Sequence, residues 1–239
     1  MGTPEILFED NHLLVAVKPA GVLSQADITG EPDMLSLLKK YLIESKNKPG
    51  EAYLGLLHRL DRPVSGIMVF AKTSKCASRL SAQIRERRVD KWYRAVVRGK
   101  PSDEAEIRSF ILKDEDKNMV TILHGEDLGS PDRAKEAVLQ YRKLGEAERP
   151  GAGALKTISL LEVHLHTGRS HQIRAQLADA GFPILGDRKY GPDDGYFRGD
   201  ICLESCILSF FHPVSGEKMR FSLPLSANDP WNLFFEQKS

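Results

Sequence analysis

Short apolar runs bounded by turn residues recur along most of this chain, and only a few stretches have helical spacing. Leu13–Val17 follows a polar turn, apolar and polar side chains alternate over Lys91–Gly99, and Phe182–Gly186 is a shorter run of the same kind. These patterns predict β-strands, while Glu146–Leu155 has the prolines and glycines of an exposed hairpin tip. Because strands are many, helices few and strict strand–helix alternation absent, we predict an α+β fold with a mixed, mainly antiparallel central sheet and flanking helices.

Three segments have the caps and spacing of helices. Asp33 is placed to cap a helix of about thirteen residues, and Thr73 or Ser74 is placed to cap a second helix. Ser170 is predicted to cap a third helix over His171–Ala180, which ends where Gly181 can adopt a left-handed conformation.

Length and composition are those of a globular protein. The 239 residues are 41% hydrophobic and 28% charged, and suit one or two domains. We find neither a secretion signal nor an apolar run that could cross a bilayer, so a cytoplasmic protein without membrane contact is expected. The cysteines are three, an odd number, and lack Cys-x-x-Cys spacing, so Cys76, Cys202 and Cys206 are predicted to be reduced thiols. A monomer is expected.

Positive charge is concentrated in one part of the chain. The net charge is only +1, yet residues 58–98 contain eleven Lys or Arg against three acidic residues. A one-sided distribution of this kind is typical of a surface that binds a polyanion. The alternative is a solvated, charged helix face without a partner.

The stretch His58-Arg59-Leu60-Asp61-Arg62-Pro63-Val64-Ser65-Gly66 places a carboxylate between two arginines, just before a strand-like run. Loops on rigid strands often carry functional residues. Asp61 has two interpretations: a structural aspartate that caps the loop and pairs with an arginine, or an ionised carboxylate that acts as a nucleophile. This stretch alone leaves both open.

Motifs for phosphate-binding loops, dinucleotide-binding loops and serine nucleophile elbows are absent from the sequence. No cofactor is therefore expected. His164, His166 and His171, with His58 elsewhere, raise a zinc-dependent hydrolase as an alternative. Acidic partners are lacking near these histidines, and arginines interleave with them, so we expect no metal.

Several motifs, taken in order along the chain, resemble those of the RluA-type pseudouridine synthases. The residues from His58 to Gly66 are similar to the family signature His-Arg-Leu-Asp-x-x-Thr-Ser-Gly. The other similar segments are Lys18-Pro19-Ala20-Gly21, Lys91-Trp92-Tyr93-Arg94-Ala95, Thr167-Gly168-Arg169-Ser170-His171-Gln172-Ile173-Arg174 and Pro183-Ile184-Leu185-Gly186-Asp187. The resemblance covers nearly the whole chain, and the ordered set is far more specific than any one motif.

The resemblance implies a role for individual residues. Asp61 is the catalytic aspartate, Tyr93 is the active-site tyrosine, and Arg174 is the basic residue that pairs with the aspartate. The resemblance also implies that Arg59 helps to extrude the target nucleotide. Further residues expected to contact RNA are His58, Arg62, Arg87, Arg88, Arg169 and His171.

The implied function is the isomerisation of specific uridines in structured rRNA or tRNA to pseudouridine, with the base flipped into a basic cleft. The implied architecture is one catalytic domain over residues 1–239, in two halves around that cleft and without the small N-terminal RNA-binding domain of many relatives. Val64 departs from the family pattern, which often has Thr there. The alternative function is an inactive RNA-binding protein on the same fold.

Overall fold

The computed structural model describes residues 2–46, 52–124, 133–151, 154–192 and 195–237. Two compact units are distinguished. The first comprises Met1–Lys91 and Ser205–Leu223, and the second comprises Trp92–Glu204 and Pro224–Ser239. Among the described residues, no helix has both the length and the apolar character needed to span a membrane.

The first unit is built on antiparallel strands, as the sequence predicts. Its strands are β1 (Ile6–Glu9), β2 (Leu13–Lys18), β3 (Gly55–Leu56), β4 (Ser65–Ala71), β10 (Leu203–Phe211) and β11 (Lys218–Ser222). β1, β2, β4 and β10 lie side by side in that order, β11 pairs with β10 and β3 pairs with β4. The β2–β4 register ends at the pair Lys18 and Gly66. This pair brings the start of the Lys18 motif (residues 18–21) to the end of the Asp61 loop (residues 58–66).

Both predicted helices of the first unit are confirmed, together with their caps. Helix α1 spans Met34–Lys46, and the carboxylate of Asp33 accepts the backbone N–H of Ser36 at 3.1 Å. Helix α2 spans Ser74–Arg85, and the hydroxyl of Thr73 accepts the N–H of Cys76 at 3.2 Å. The buried side of α2 packs on β4 and β10, so its arginines are left on the exposed side.

The second unit contains the sheet order β5, β9, β8, β6, β7, with every pair antiparallel. The strands are β5 (Asp90–Arg98), β6 (Glu104–Asp114), β7 (Met119–Leu123), β8 (Lys135–Gly151) and β9 (Ala154–Leu165). β8 and β9 pair up to Gly151 and Ala154, which agrees with the predicted hairpin, and residues 152–153 lie outside the described residues. A 3₁₀ helix, Trp231–Gln237, follows near the C-terminus.

Two predictions for the second unit are wrong. Helix α3 spans Gln172–Asp179, and its N-cap is His171 in a left-handed conformation (φ 49°) rather than Ser170. The predicted strand Phe182–Gly186 is reduced to an isolated bridge between Ile184 and Val97. Pro183 explains part of this difference, because it lacks the N–H that a strand interior requires.

Candidate active site

The Asp61 loop is tied to the rest of the first unit by backbone hydrogen bonds. The N–H of Val64 donates to the carbonyl of Asp61 at 3.0 Å, which closes a turn at the aspartate. Just before this turn, the hydroxyl of Ser24 donates to the carbonyl of Leu60 at 2.8 Å and accepts its N–H at 3.1 Å. Leu60 and Val64 are buried on either side of Asp61, whose own side chain is partly exposed. The loop therefore holds a partly exposed aspartate on a fixed backbone.

Lys18 braces this loop, a role that no local feature of the sequence indicates. Its side chain is completely buried, and its ammonium group donates to the carbonyls of Val22 at 2.6 Å, Arg62 at 2.9 Å and Pro19 at 3.0 Å. The carbonyl of Arg62 also accepts the N–H of Gly21 at 2.9 Å. A single buried cation thus joins the Lys18 motif to the residue after Asp61.

The charge of Lys18 acts on Asp61 as well. Burial lowers the pKa of Lys18 to about 8, the negative charge of Asp61 opposes this shift, and the positive charge of Arg62 adds to it. Lys18 and Asp61 therefore lie close enough to interact electrostatically, with opposite charges.

We expect Lys18→Met to destabilise the first unit and slow any reaction at Asp61. Met has a similar length but no donor, so three carbonyl groups lose the ammonium as their partner, at about 1–3 kcal/mol for a buried group left unsatisfied. Urea unfolding followed by circular dichroism measures the loss. Lys75→Met on the exposed surface of α2 is the matched control. An unfolding midpoint equal to that of the control would contradict the bracing role.

His58 has a structural position rather than that of a cationic RNA contact. Its Nε2 accepts the backbone N–H of Val69 in β4 at 3.2 Å, so this nitrogen carries no proton. Burial, with a smaller effect from the charge of Lys91, lowers the pKa of His58 to about 3. The imidazole is therefore neutral at physiological pH and fixes the start of the loop to the neighbouring strand.

The arginines of the first unit predicted to contact RNA are all exposed, but their surroundings differ. Arg62 donates to the carbonyl of Gly21 at 3.2 Å and pairs with Glu31, so its charge is partly balanced. Arg88 lies 5.2 Å from the ring centroid of Phe211, and Arg87 occupies a left-handed position in the turn after α2. Contact of Arg59 and Arg87 with RNA stays a prediction.

Tyr93 lies on β5 in the second unit, on the side of the strand that it shares with Ala95 and Val97. It is 7% exposed, and this face is buried as the alternation predicts. On the opposite face, Trp92 stacks on His164 with ring centroids 4.2 Å apart. The ring of His164 also contacts that of His166 edge-to-face, with ring centroids 4.5 Å apart.

Arg174 lies in α3 and is almost fully buried. Its Nε and Nη2 donate to the two carboxylate oxygens of Asp187, each at 2.8 Å. Asp187 was noted in the sequence only as part of a motif, so this pair is a new element of the candidate site. The pairing of Arg174 with Asp61 stays a prediction, since the two residues belong to different units.

Arg169 and His171 precede α3. The Nε of Arg169 donates to the carbonyl of Glu136 at 3.1 Å, and its side chain is exposed. The Nδ1 of His171 is bonded to the hydroxyl of Tyr190 at 2.7 Å. The buried amide of Gln172 organises this turn, because its oxygen accepts from Thr167 at 2.8 Å and from the N–H of Arg169 at 3.1 Å.

The sequence-predicted residues thus fall into two groups. The first unit contains Asp61, its flanking arginines, His58, Arg87 and Arg88, and the second contains Tyr93, Arg169, His171 and Arg174. Across the described ranges, no group of three or more His, Cys, Asp or Glu side chains has a geometry that would hold a metal ion.

Comparison with known proteins identifies similar sequences and folds. The sequence profile of a family described as RNA pseudouridylate synthase matches residues 12–179. Ribosomal large subunit pseudouridine synthase D of Zymomonas mobilis is 32% identical, over 91% of this chain and 68% of the relative. Two proteins named tRNA pseudouridine synthase C are also similar. That of Haemophilus ducreyi is 30% identical over 98% of this chain and 95% of the relative. That of Pectobacterium carotovorum is 31% identical over 95% of this chain and 60% of the relative.

Two solved human structures share the fold. RNA Pseudouridylate Synthase Domain Containing 1 superimposes with a TM-score of 0.72 at 22% identity, covering 94% of this chain and 85% of the other. RNA Pseudouridylate Synthase Domain Containing 4 gives a TM-score of 0.72 at 23% identity, covering 93% and 88%. The predicted α+β fold with a mainly antiparallel sheet is confirmed.

Proposed function

Because the chain belongs to the RNA pseudouridylate synthase family, we propose that it isomerises specific uridines in structured rRNA or tRNA to pseudouridine. The observation that carries the proposal is the Asp61 loop. It presents a partly exposed carboxylate on a backbone held from behind by the buried ammonium of Lys18. A pre-positioned, ionised carboxylate is what a nucleophilic step requires.

The reaction breaks the bond between C1′ of the ribose and N1 of uracil, turns the base, and joins C1′ to C5. Nothing is oxidised or reduced, and the C5 proton is released, so the chemistry needs no cofactor. In the proposed mechanism, Asp61 attacks the ribose or the base, or assists formation of a glycal-like intermediate. Arg174 keeps the carboxylate ionised, and Tyr93 stacks on the flipped base and can take the C5 proton.

RNA binding is proposed to use arginines rather than base-specific contacts. Flipping a base out of its stack costs a few kcal/mol, which phosphate contacts offset. Arg59 would help to extrude the nucleotide, and the exposed residues Arg87, Arg88 and Arg169 would contact the backbone. Names of the similar proteins include both rRNA and tRNA enzymes, which supports structured RNA as the substrate class.

We also propose that the protein acts in the cytoplasm as a monomeric catalytic domain that needs no metal. Gel filtration with light scattering tests the oligomeric state. Activity after dialysis against a chelator tests the metal requirement.

The proposed function is tested by tritium release from RNA that carries [5-³H]uridine. Transcripts of rRNA fragments and of tRNAs are incubated separately with the protein, and release is expected from one class at a defined uridine. The position is then mapped by pseudouridine-specific chemistry. RNA binding without tritium release across both classes would favour the inactive RNA-binding alternative.

A further inference from the structure

The guanidinium of Arg174 is held along one edge by Asp187. Nε donates to one carboxylate oxygen and Nη2 to the other, both at 2.8 Å, and the two side chains are only 7% and 1% exposed. A two-pronged bond between planar groups fixes orientation as well as distance. Since one edge of the guanidinium is committed to Asp187, the direction of its remaining nitrogen, Nη1, is set by this pair.

Asp187 is itself fixed within a tight turn. Its Oδ1 also accepts the backbone N–H groups of Lys189 at 2.9 Å and Tyr190 at 3.2 Å. Gly191 closes the turn by donating its N–H to the carbonyl of Asp187 at 2.9 Å, and a Cβ at Gly191 would lie 2.6 Å from that oxygen. The carboxylate is therefore anchored to backbone before it meets the arginine.

The same contacts favour the ionised form of Asp187. Burial alone would raise the pKa of Asp187, but the bonds and charge of Arg174, with the two backbone N–H groups, bring it below its ordinary value. Asp187 is thus ionised at neutral pH.

Tyr190 supports the guanidinium from one face. Its ring centroid lies 5.2 Å from the central carbon of the Arg174 guanidinium. The hydroxyl of Tyr190 accepts the N–H of Val120 at 2.9 Å and is bonded to Nδ1 of His171 at 2.7 Å. The ring is held at its hydroxyl end, so Arg174 is constrained both along one edge and across one face.

We propose that Asp187 is a positioning residue for the reaction: it orients Arg174 towards the reacting groups and does not itself touch the RNA. The inference rests on the proposed function and deepens it by naming what directs the basic residue. Replacing a buried ion pair by apolar side chains is often neutral or stabilising, so stability alone is a weak reason for this arrangement. Orienting a catalytic cation would explain why the ion pair is present, because small displacements of catalytic groups slow reactions strongly.

The test compares Asp187→Asn with wild type in single-turnover reactions on the RNA that wild type modifies. A displacement of about 1 Å at a catalytic group costs on the order of 100-fold in rate, and we expect a loss of that size while the Kd for RNA changes less than about 3-fold. Asp187→Glu, which keeps the charge but moves it by one methylene, is expected to recover part of the rate. A purely structural role predicts a lower melting temperature with an unchanged rate per folded molecule, and that result would overturn the proposal.

Two controls separate the possible outcomes. Glu162→Gln alters another arginine partner in the same unit, since Glu162 pairs with Arg142 at 3.0 Å, and it is expected to keep the wild-type rate. In an Arg174→Lys background, Asp187→Asn is expected to cost much less than in wild type, because both changes act through one group. Equal losses in both backgrounds, or loss of folding in both Asp187 variants, would also overturn the proposal. An inactive wild-type protein would instead refute the proposed function itself.

Discussion

Asp61→Asn is expected to abolish pseudouridine formation while leaving RNA binding within about 3-fold of wild type, since phosphate contacts rather than one carboxylate dominate the affinity. The amide has the shape of the carboxylate but lacks its charge and its nucleophilic oxygen. Removing a nucleophile typically costs several orders of magnitude, so we expect a rate loss of at least about 1,000-fold. Tritium release in single turnover measures the rate, and filter binding measures the affinity.

The folded state of this variant should be close to that of wild type. Asp61 contributes its backbone carbonyl to the turn with Val64, and the substitution keeps that bond. Asp116→Asn, an exposed carboxylate-to-amide change in the β6–β7 turn, is the matched control and should keep full activity. Wild-type rates in the Asp61→Asn variant would exclude Asp61 as the nucleophile, whatever the behaviour of the control.

Local signals predicted much of the first unit. The polar turn before Leu13 is confirmed, because the Oδ1 of Asp10 accepts the N–H groups of His12 at 2.7 Å and Leu13 at 2.6 Å. The caps at Asp33 and Thr73 are confirmed for a similar reason, since each involves a residue three positions further along the chain. Interactions of this range are visible in a sequence without knowledge of the fold.

The role of Lys18 was not predictable in the same way. Its bond to the carbonyl of Arg62 spans 44 residues and depends on the register of β2 against β4. Nothing local distinguishes a lysine that braces a loop from one that is exposed, and lysine is rarely buried. The only signal was the similarity of Lys18-Pro19-Ala20-Gly21 to a family motif. That similarity indicates a family but not what the lysine does in the structure.

Helix α3 shows how polar residues can mislead. Ile173 and Leu177 are apolar residues at helical spacing in this segment, and yet every residue from Gln172 to Leu177 is buried. The polar side chains are buried with partners: Gln176 donates to the hydroxyl of Ser109 at 2.9 Å and to the carbonyl of Ala137 at 3.1 Å. A polar pattern alone cannot distinguish a solvated helix face from a buried face whose polar side chains form internal hydrogen bonds.

Gly66→Ala is expected to have the largest effect on stability of any single methyl addition considered for this chain. Gly66 has φ of +127°, and a Cβ there would lie 2.5 Å from the backbone nitrogen and 2.7 Å from the Cα of Ser205 in β10. Backbone atoms cannot rotate away as a side chain can, so β4 and β10 must separate. Strain at such a conformation and overpacking each cost about 1–3 kcal/mol, so we expect a loss of roughly 3 kcal/mol or more in unfolding free energy, measured in urea.

Gly216→Ala separates these two contributions. Gly216 has φ of +77°, in the turn between β10 and β11, and its Cβ would meet no atom within 4 Å. This control carries the conformational cost without the collision, and we expect it to lose only about 1–2 kcal/mol. Because Gly66 pairs with Lys18, separation of the strands would also displace the lysine that braces the Asp61 loop. Gly66→Ala should therefore lose activity at temperatures where it is still folded, whereas Gly216→Ala should keep it. Equal losses of unfolding free energy in the two variants would show that β10 can move away from the added methyl group without loss of stability. The close approach of Ser205 would then not fix the loop.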